Sequence, residues 1–195
     1  MHLASEVSPP EEISTERLRL VCLDEKALEA VAANKRTTLA ALLKAHIEPE
    51  CDLPADVARL RLGQLAEDPS LRPWLLRAVI RLEDVSLIGH IGFHSAPDPH
   101  YLHELAPGSV EIGYTVYTPY RRKGYAFEAA RGLMDWATQT YGVTDFIFSI
   151  SPQNTASLGL LHKLAGSYRA EMLGHYVDPE DGPEDIFRLR SITGS

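Results

Sequence analysis

The order of apolar and polar residues along this chain shows two periods, which predict strands and helices. Segments with a period of two, or short apolar runs between turn residues, are typical of β-strands. Segments with apolar residues every three or four positions are typical of helices that bury one face. The predicted strands are residues 13–23, 74–82, 87–93, 110–117, 144–150, 168–176 and 186–192, and the predicted helices are residues 25–43, 56–66, 126–137 and 155–165.

Residues 110–150 predict a strand, a helix and a second strand in succession. Two parallel strands joined by a helix need a right-handed crossover, which places the helix over one face of a central sheet. Residues 95–108 contain three prolines and are expected to form a connection. We predict a single α/β (α+β) domain over residues 13–195, preceded by a flexible polar leader at residues 1–12.

Composition narrows the classes of function. The formal net charge of −8 disfavours nucleic-acid partners, since binding them needs many lysines and arginines against phosphates. The 2 cysteines, Cys22 and Cys51, lack C-x-x-C spacing, so we expect neither a disulfide framework nor a metal site. The first residues do not have the pattern of a signal peptide, and no apolar run approaches the roughly 18 residues that a membrane-spanning segment needs. We therefore expect a cytoplasmic protein with no membrane partner.

A basic turn interrupts this acidic background. Residues 121–126 have the sequence RRKGYA and lie between a predicted strand and a predicted helix. The first amides of a helix have no intrahelical partner and its dipole attracts negative charge, so this position suits an anion. Gly124 lets a phosphate approach the backbone, and the three preceding cations add charge. The spacing fits neither a P-loop nor a G-x-G-x-x-G site. The alternative to an anion-binding site is a cationic loop with an ordinary turn glycine.

Several short motifs accompany this turn, which itself matches the pattern [RQ]-x-x-G-x-[GA]. They are VEIGY at residues 110–114, EA at 128–129, WA at 136–137, Asn154 with Ser157, and TERL at 15–18. Together they resemble the GNAT superfamily of N-acyltransferases over residues 13–192. TERL is similar to the first strand of the branch that includes ribosomal-protein alanine N-acetyltransferases.

This resemblance implies a fold and a co-substrate. The implied fold has a central mixed, mostly antiparallel sheet of about seven strands, with helices on both faces and a splayed parallel pair in the middle. The implied co-substrate is acetyl-CoA, with its pyrophosphate on the backbone amides of residues 122–126 in the basic turn and its pantetheine arm along residues 114–117 of the strand. The residues expected to contact it are Tyr114, Thr115, Val116, Arg121, Arg122, Lys123, Gly124, Tyr125, Ala126, Asn154 and Ser157.

Acetyl transfer to an amine needs the amine in its neutral form. A lysine amine has an ordinary pKa near 10.4 and an α-amine one of about 7.7–8.0, so a base must remove a proton. Glu111 is the predicted base. Strand alternation places it on one face with Gly113 and Thr115, and the resemblance implies a catalytic glutamate on this strand. His90 and His94, on one face of the preceding strand, are the alternatives. A structural role is the alternative for each of the three.

The departing CoA thiolate needs a proton donor. In many relatives this is a tyrosine seven residues after the motif asparagine, but here that position is Leu161. The resemblance to the ribosomal-protein branch therefore implies Ser157 as the second catalytic residue. Asn154 is expected to contact pantetheine, to cap the helix, or to do both.

The acceptor is defined only by charge. The acidic segment 178–185 and the negative net charge suit an amine, either a protein N-terminus or a small molecule, although a solvated hairpin explains the segment equally well. A homodimer is compatible with the sequence. A non-catalytic sensor that binds an acyl-CoA without turnover is the alternative function, which Leu161 keeps open.

Overall fold

The computed structural model describes residues 12–178 and 182–192, which a single sheet of eight strands organises. The strands are β1 (Glu12–Ser14), β2 (Leu18–Cys22), β3 (Arg77–Arg81), β4 (Ser86–Phe93), β5 (Val110–Val116), β6 (Asp145–Ile150), β7 (Tyr168–Asp178) and β8 (Gly182–Ser191). Their order across the sheet is β1-β2-β3-β4-β5-β6-β8-β7. Neighbours are antiparallel except β5 and β6, which are parallel. The predicted mixed, mostly antiparallel sheet is confirmed.

The helices lie on both faces of this sheet. They are α1 (Glu25–Ala32), α2 (Arg36–Leu43), α3 (Ala55–Glu67), α4 (Tyr125–Tyr141) and α5 (Thr155–Leu164). The ring of Phe93 in β4 contacts Trp74, which contacts Trp136 of α4. The side chain of the next residue, His94, points to the opposite face by alternation. There it lines a cavity together with Arg61 of α3, which also donates a hydrogen bond to the His94 carbonyl. Helices α4 and α5 contact each other on the first face, and α1 contacts α3 on the second.

The first predicted strand is in fact two strands. β1 and β2 form a hairpin with its corner at Thr15, whose amide donates to the Leu18 carbonyl at 2.9 Å and whose hydroxyl accepts from the Leu18 amide at 3.1 Å. A side chain that bonds nearby backbone favours a turn over an extended strand. Glu12, assigned to the leader from sequence, pairs with Val21 in this hairpin, while residues 1–11 lie outside the described residues. The sheet therefore has eight strands rather than seven.

The first predicted helix, residues 25–43, is also divided. Asp24 caps α1, because its side chain accepts a hydrogen bond from the amide of Ala27. The helix ends at Ala32, and Asn34 then adopts a left-handed backbone with φ of 52°. Asparagine tolerates this conformation better than most residues. The prediction of one long helix was wrong because this break leaves no trace in the apolar pattern.

The other differences are at the ends of elements. The strand expected from residue 74 begins at Arg77, and the helix expected to end at residue 137 continues to Tyr141. Residues 95–108 form a connection, as predicted, with a short 3-10 turn at His100–Leu102. β7 and β8 extend into the acidic segment, of which residues 179–181 lie outside the described residues. Among the helices described, none combines the length and apolar character that crossing a membrane requires.

The parallel strands in the middle of the sheet separate soon after they pair. β5 pairs with β6 only at Val110 and Glu111, and residues 112–116 pair with β4 alone. The carbonyl of Glu111 and the amide of Tyr117 both bond toward β4. By alternation, the backbone groups of the even-numbered residues of β5 point into the gap. The predicted splay is confirmed, and it leaves β5 with an unpaired polar edge.

Candidate active site

The basic turn leads directly into α4 and has an unusual backbone. Arg122 and Gly124 adopt left-handed conformations with φ of 61° and 83°. Within the described chain, the amides of residues 122–127 donate no hydrogen bond, and the first to do so is that of Glu128, to Gly124 at 3.1 Å. Successive free amides around a left-handed residue form a concave site for anions. The three cationic side chains before Gly124 are exposed around this site.

Glu128 attaches the basic turn to the first hairpin. Its carboxylate accepts hydrogen bonds from the Thr15 hydroxyl at 2.6 Å and from the amide and Nε of Arg17, both at 2.7 Å. Arg17 also donates to the carbonyl of Lys123 at 3.1 Å. Burial alone would raise the pKa of Glu128, but these hydrogen bonds outweigh burial and lower that pKa. The motifs TERL and EA are therefore two sides of one contact.

The unpaired edge of β5 carries Tyr114, Thr115 and Val116. The Val116 carbonyl accepts a hydrogen bond from Nε of Arg121 at 2.9 Å, which ties the basic turn to the end of the strand. The Tyr114 hydroxyl donates to Oγ of Ser157 at 2.9 Å. Burial raises the pKa of Tyr114, and this hydrogen bond offsets only part of the rise. The Tyr114 hydroxyl is therefore protonated at neutral pH.

Helix α5 begins beside this edge. The side chain of Asn154 accepts a hydrogen bond from the Ser157 amide at 3.0 Å, so the predicted capping role of Asn154 is confirmed. Leu161 is buried in the hydrophobic core with 7% exposure. Ser157 thus meets a tyrosine hydroxyl that comes from β5 rather than from α5.

Glu111 lies where the splay begins and is 8% exposed. Its Oε1 accepts a hydrogen bond from Oγ of Ser149 at 2.6 Å, and its Oε2 lies 3.3 Å from Nδ1 of His94. Burial alone would raise the pKa of Glu111, but His94, with smaller contributions from Ser149 and Tyr101, stabilises the charged form and lowers it. Glu111 is therefore a carboxylate at neutral pH, in direct contact with an imidazole.

His90 shares the face of Glu111, because it lies opposite Thr115 in the β4–β5 ladder. Burial lowers the pKa of His90 from 6.5 to about 4. Its Nδ1 has no hydrogen-bond partner within the described part of the chain. His90 is therefore neutral at physiological pH and a weak base, whereas His94 is the histidine beside Glu111.

The burial of His90 makes the stability of the fold depend on pH. The unfolded chain protonates this residue below its ordinary pKa of 6.5, but the folded protein does so only near pH 4, so acidification through this window favours unfolding. We expect His90 alone to lower the free energy of unfolding by roughly 3 kcal/mol across it. Denaturant titrations at both ends of the window should show a smaller loss for His90→Gln than for wild type. The exposed His162→Gln is the control, and equal losses in all three proteins would contradict this role.

Most of this chain matches one known protein family. Residues 17–166 match the family described as "Acetyltransferase (GNAT) domain". The chain belongs to the GNAT acetyltransferase family. The resemblance predicted from the short motifs is confirmed.

Individual GNAT relatives are distant. The uncharacterized N-acetyltransferase YjdG of Bacillus subtilis is 30% identical over 86 residues, which are 44% of this chain and 47% of YjdG, so the chain spans about half the length of this curated relative. The ribosomal-protein-S5-alanine acetyltransferase from Vibrio fischeri has a TM-score of 0.63 at 14% identity, over 94% of this chain and 98% of that one. RimL, a ribosomal L7/L12 alpha-N-protein acetyltransferase solved in complex with coenzyme A, has a TM-score of 0.60 at 16% identity, over 95% and 100%. At these identities the two structures share the GNAT fold.

A small cavity of about 130 Å³ lies on the α3 face of this GNAT sheet, and one of the residues that line it is His94, the partner of Glu111. Its lining includes Arg61, His90, His94 and Tyr114. A larger groove of about 710 Å³, between β1 and α4, contains none of these residues. Of these two spaces, the small cavity is therefore the one lined by His90 and His94. No cluster of three or more His, Cys, Asp or Glu side chains suited to a metal ion occurs among the described residues.

The sequence interpretation missed three residues at this site. Ser149 and Tyr101 carry no local signal, since only the fold brings them to Glu111. Arg61 does carry one, because it lies on the buried stripe of α3 between Ala58 and Leu65. A charged residue at an apolar position of a helix is rare without a partner or a role.

Proposed function

We propose that this GNAT protein transfers the acetyl group of acetyl-CoA to a primary amine, by direct attack of the amine while both substrates are bound. One observation carries this proposal. The unpaired edge of β5 runs from the Glu111–His94 pair to the free amides of the basic turn. The donor and the proton acceptor would therefore lie along one strand.

The described residues fit acetyl-CoA. Free amides over residues 122–127 suit the pyrophosphate, and the exposed side chains of Arg121, Arg122 and Lys123 add positive charge. Pantetheine contains two amides, which the backbone groups of Tyr114 and Val116 would pair as a missing strand would. The complex of the RimL relative with coenzyme A supports this assignment. When bound, acetyl-CoA supplies the activated acetyl group.

The residues at the two ends of the gap have complementary roles in this proposal. The Val116 amide, free on the gap side of β5, stabilises the negative charge that develops on the acetyl oxygen. The Glu111–His94 pair accepts the proton of the amine, either directly or through water. Because the pKa of Glu111 is lowered, this carboxylate stays charged at neutral pH, with its Oε2 3.3 Å from the imidazole of His94.

The Tyr114–Ser157 pair would serve the leaving thiolate. The Ser157 hydroxyl can donate toward the sulfur while it accepts from the Tyr114 hydroxyl, 2.9 Å away. A tyrosine hydroxyl would thus lie near the thioester, although Leu161 occupies the position where many relatives carry one. This arrangement favours turnover over a purely sensing role.

Thiol release from acetyl-CoA tests the proposal against the acyl-CoA sensor. We expect release with at least one member of a panel of small-molecule amines and peptides with free α-amines. Calorimetry with CoA measures binding separately from turnover. Tight CoA binding without thiol release across the whole panel would establish the sensor instead.

Replacement of Gly124 tests the assignment of the basic turn. Gly124→Val should weaken CoA binding by about tenfold or more, because a side chain would crowd the phosphates beside the free amides. Gly142→Val is the matched control, since Gly142 ends the same helix with φ of 72° and has open space around it. Both variants should lose about 1–2 kcal/mol of stability from the left-handed backbone. Normal CoA affinity in Gly124→Val would refute the assignment.

A further inference from the structure

Arg61 is a buried cation without a counter-ion. The residue is 8% exposed, and no carboxylate of the described residues forms an ion pair with it. Its hydrogen bonds both use Nη1, which donates to the His94 carbonyl at 3.1 Å and to Oε1 of Gln64 at 2.7 Å. Nε is buried and donates to no described residue.

Burying such a cation is unfavourable, because the free energy lost on desolvation is not offset by attraction to an opposite charge. Desolvation lowers the pKa of Arg61, yet an arginine side chain stays charged in a protein. The His94 carbonyl does not depend on Arg61 for a hydrogen bond, since the side-chain Nε2 of Gln64 also donates to it at 3.1 Å. The backbone contact alone therefore does not explain why an arginine occupies this position.

The charged side chain of Arg61 lines the small cavity. Arg61 lines the same small cavity as His90 and His94, on the face where His94 contacts Glu111. Gly113 keeps this space open, because a Cβ there would lie 2.7 Å from Nε2 of His94. An acceptor amine that reaches the Glu111–His94 pair through this cavity would bring its nearest substituents close to the guanidinium.

We propose that Arg61 binds a carboxylate of the acceptor, and that the acceptor is a small amino acid-like molecule carrying both an amine and a carboxylate. This inference rests on the proposed acetyl transfer. A guanidinium pairs with a carboxylate through charge-assisted hydrogen bonds, and binding would give Arg61 the counter-ion that the described chain lacks. The α-carboxyl group of a protein N-terminal residue is part of a peptide bond, so protein N-termini lack this anion.

Matched acceptors test the proposal. Each free amino acid of a panel is compared with its carboxamide, which keeps the amine and loses the charge, and the ratio of kcat/KM values is measured by thiol release. In wild type we expect a preference of about tenfold or more for the acid, and in Arg61→Met a ratio near one. Since the acid and the amide also differ in amine pKa, the change of ratio between proteins is the informative quantity.

Arg59→Met is the matched control. Arg59 lies on the same helix, is exposed, and donates to the Ala32 carbonyl at 3.1 Å rather than into the cavity. This variant should keep the wild-type ratio, as removal of a surface charge alone has no effect on the cavity. A general structural defect in Arg61→Met would slow both acceptors equally and leave the ratio unchanged, which would overturn the proposal. Should Arg61→Met fail to fold, Arg61→Lys replaces it, with an expected fall in the ratio because the planar fork is lost.

A binding measurement separates this proposal from acetyl transfer itself. Carboxylic acids that match the amino acids but lack the amine are titrated into the CoA-loaded protein by calorimetry. Binding by wild type and not by Arg61→Met supports the carboxylate subsite even if no amine of the panel releases thiol. Thiol release with a preference for carboxamides or peptides, unchanged in Arg61→Met, would refute the subsite and leave the acetyl transfer intact.

Discussion

Replacing Glu111 with glutamine should lower kcat for acetyl transfer by about 10²- to 10⁴-fold, the usual range for general-base catalysis, while CoA affinity stays unchanged. The carboxylate is 8% exposed, and its oxygens contact Ser149 and His94. Glutamine keeps the size of the side chain and removes its charge, so the proton of the amine loses its acceptor. Steady-state thiol release and calorimetric titration with CoA measure the two quantities.

His94→Gln should have an effect of similar size, and the double variant should be no slower than the slower single variant if the two residues act as one unit. His175→Gln is the matched control, because His175 also pairs with a carboxylate, Asp185 at 2.6 Å, but on the exposed β7–β8 hairpin. The lowered pKa of Glu111 keeps this carboxylate charged at and above neutral pH. A Glu111→Gln protein with wild-type rates from about pH 6 to 9 would move the base elsewhere.

Replacing Ser157 with alanine should lower kcat by about 10²-fold, because the leaving thiolate would lose its hydrogen-bond donor. The cap of α5 survives this change, since Asn154 accepts from the Ser157 amide and not from its side chain. Tyr114→Phe should show a similar loss, as it removes the hydroxyl that donates to Ser157 at 2.9 Å. Single-turnover measurement of thiol release at saturating acetyl-CoA isolates the chemical step.

Tyr117→Phe provides the control for the tyrosine. Its hydroxyl is buried just beyond the end of the same strand, but has no hydrogen-bond partner among the described residues. This variant should keep the wild-type rate within about twofold. If Tyr114→Phe and Tyr117→Phe lose activity equally, the Tyr114–Ser157 contact has no special part in the reaction.

Local patterns were sufficient for most elements of the fold. The order of strands and helices and the position of the basic turn follow from apolar periods and from turn residues. The breaks at Thr15 and Asn34 were missed because each depends on a few atoms, a hydroxyl that bonds to Leu18 and a backbone with φ of 52°. Neither changes the spacing of apolar residues. The splay of β5 and β6 could not be derived from spacing at all and came from the resemblance.

The site could be predicted in part, for a physical reason. Residues proposed to bind through backbone amides, such as Gly124 with φ of 83°, carry a local signal because the conformation itself favours a glycine. Ser149 and Arg61 act through side chains that meet Glu111 and His94 across 38 and 33 residues of chain. Such long-range contacts exist only in the folded chain. A polar residue on a buried stripe is the one hint that the sequence offers for them.

The V-shaped opening between β5 and β6 also determines what cannot enter it. An intruding β-strand would need its two neighbours to stand about 9.5 Å apart along its whole length, twice the normal spacing between strands. Residues Val110 and Glu111 close the opening at one end, where β5 and β6 are still paired. A slender chain with a few amides can lie in such a wedge, but a polypeptide with side chains cannot. The taper thus protects an exposed backbone edge from intermolecular strand pairing, the usual route from an unpaired edge to aggregation.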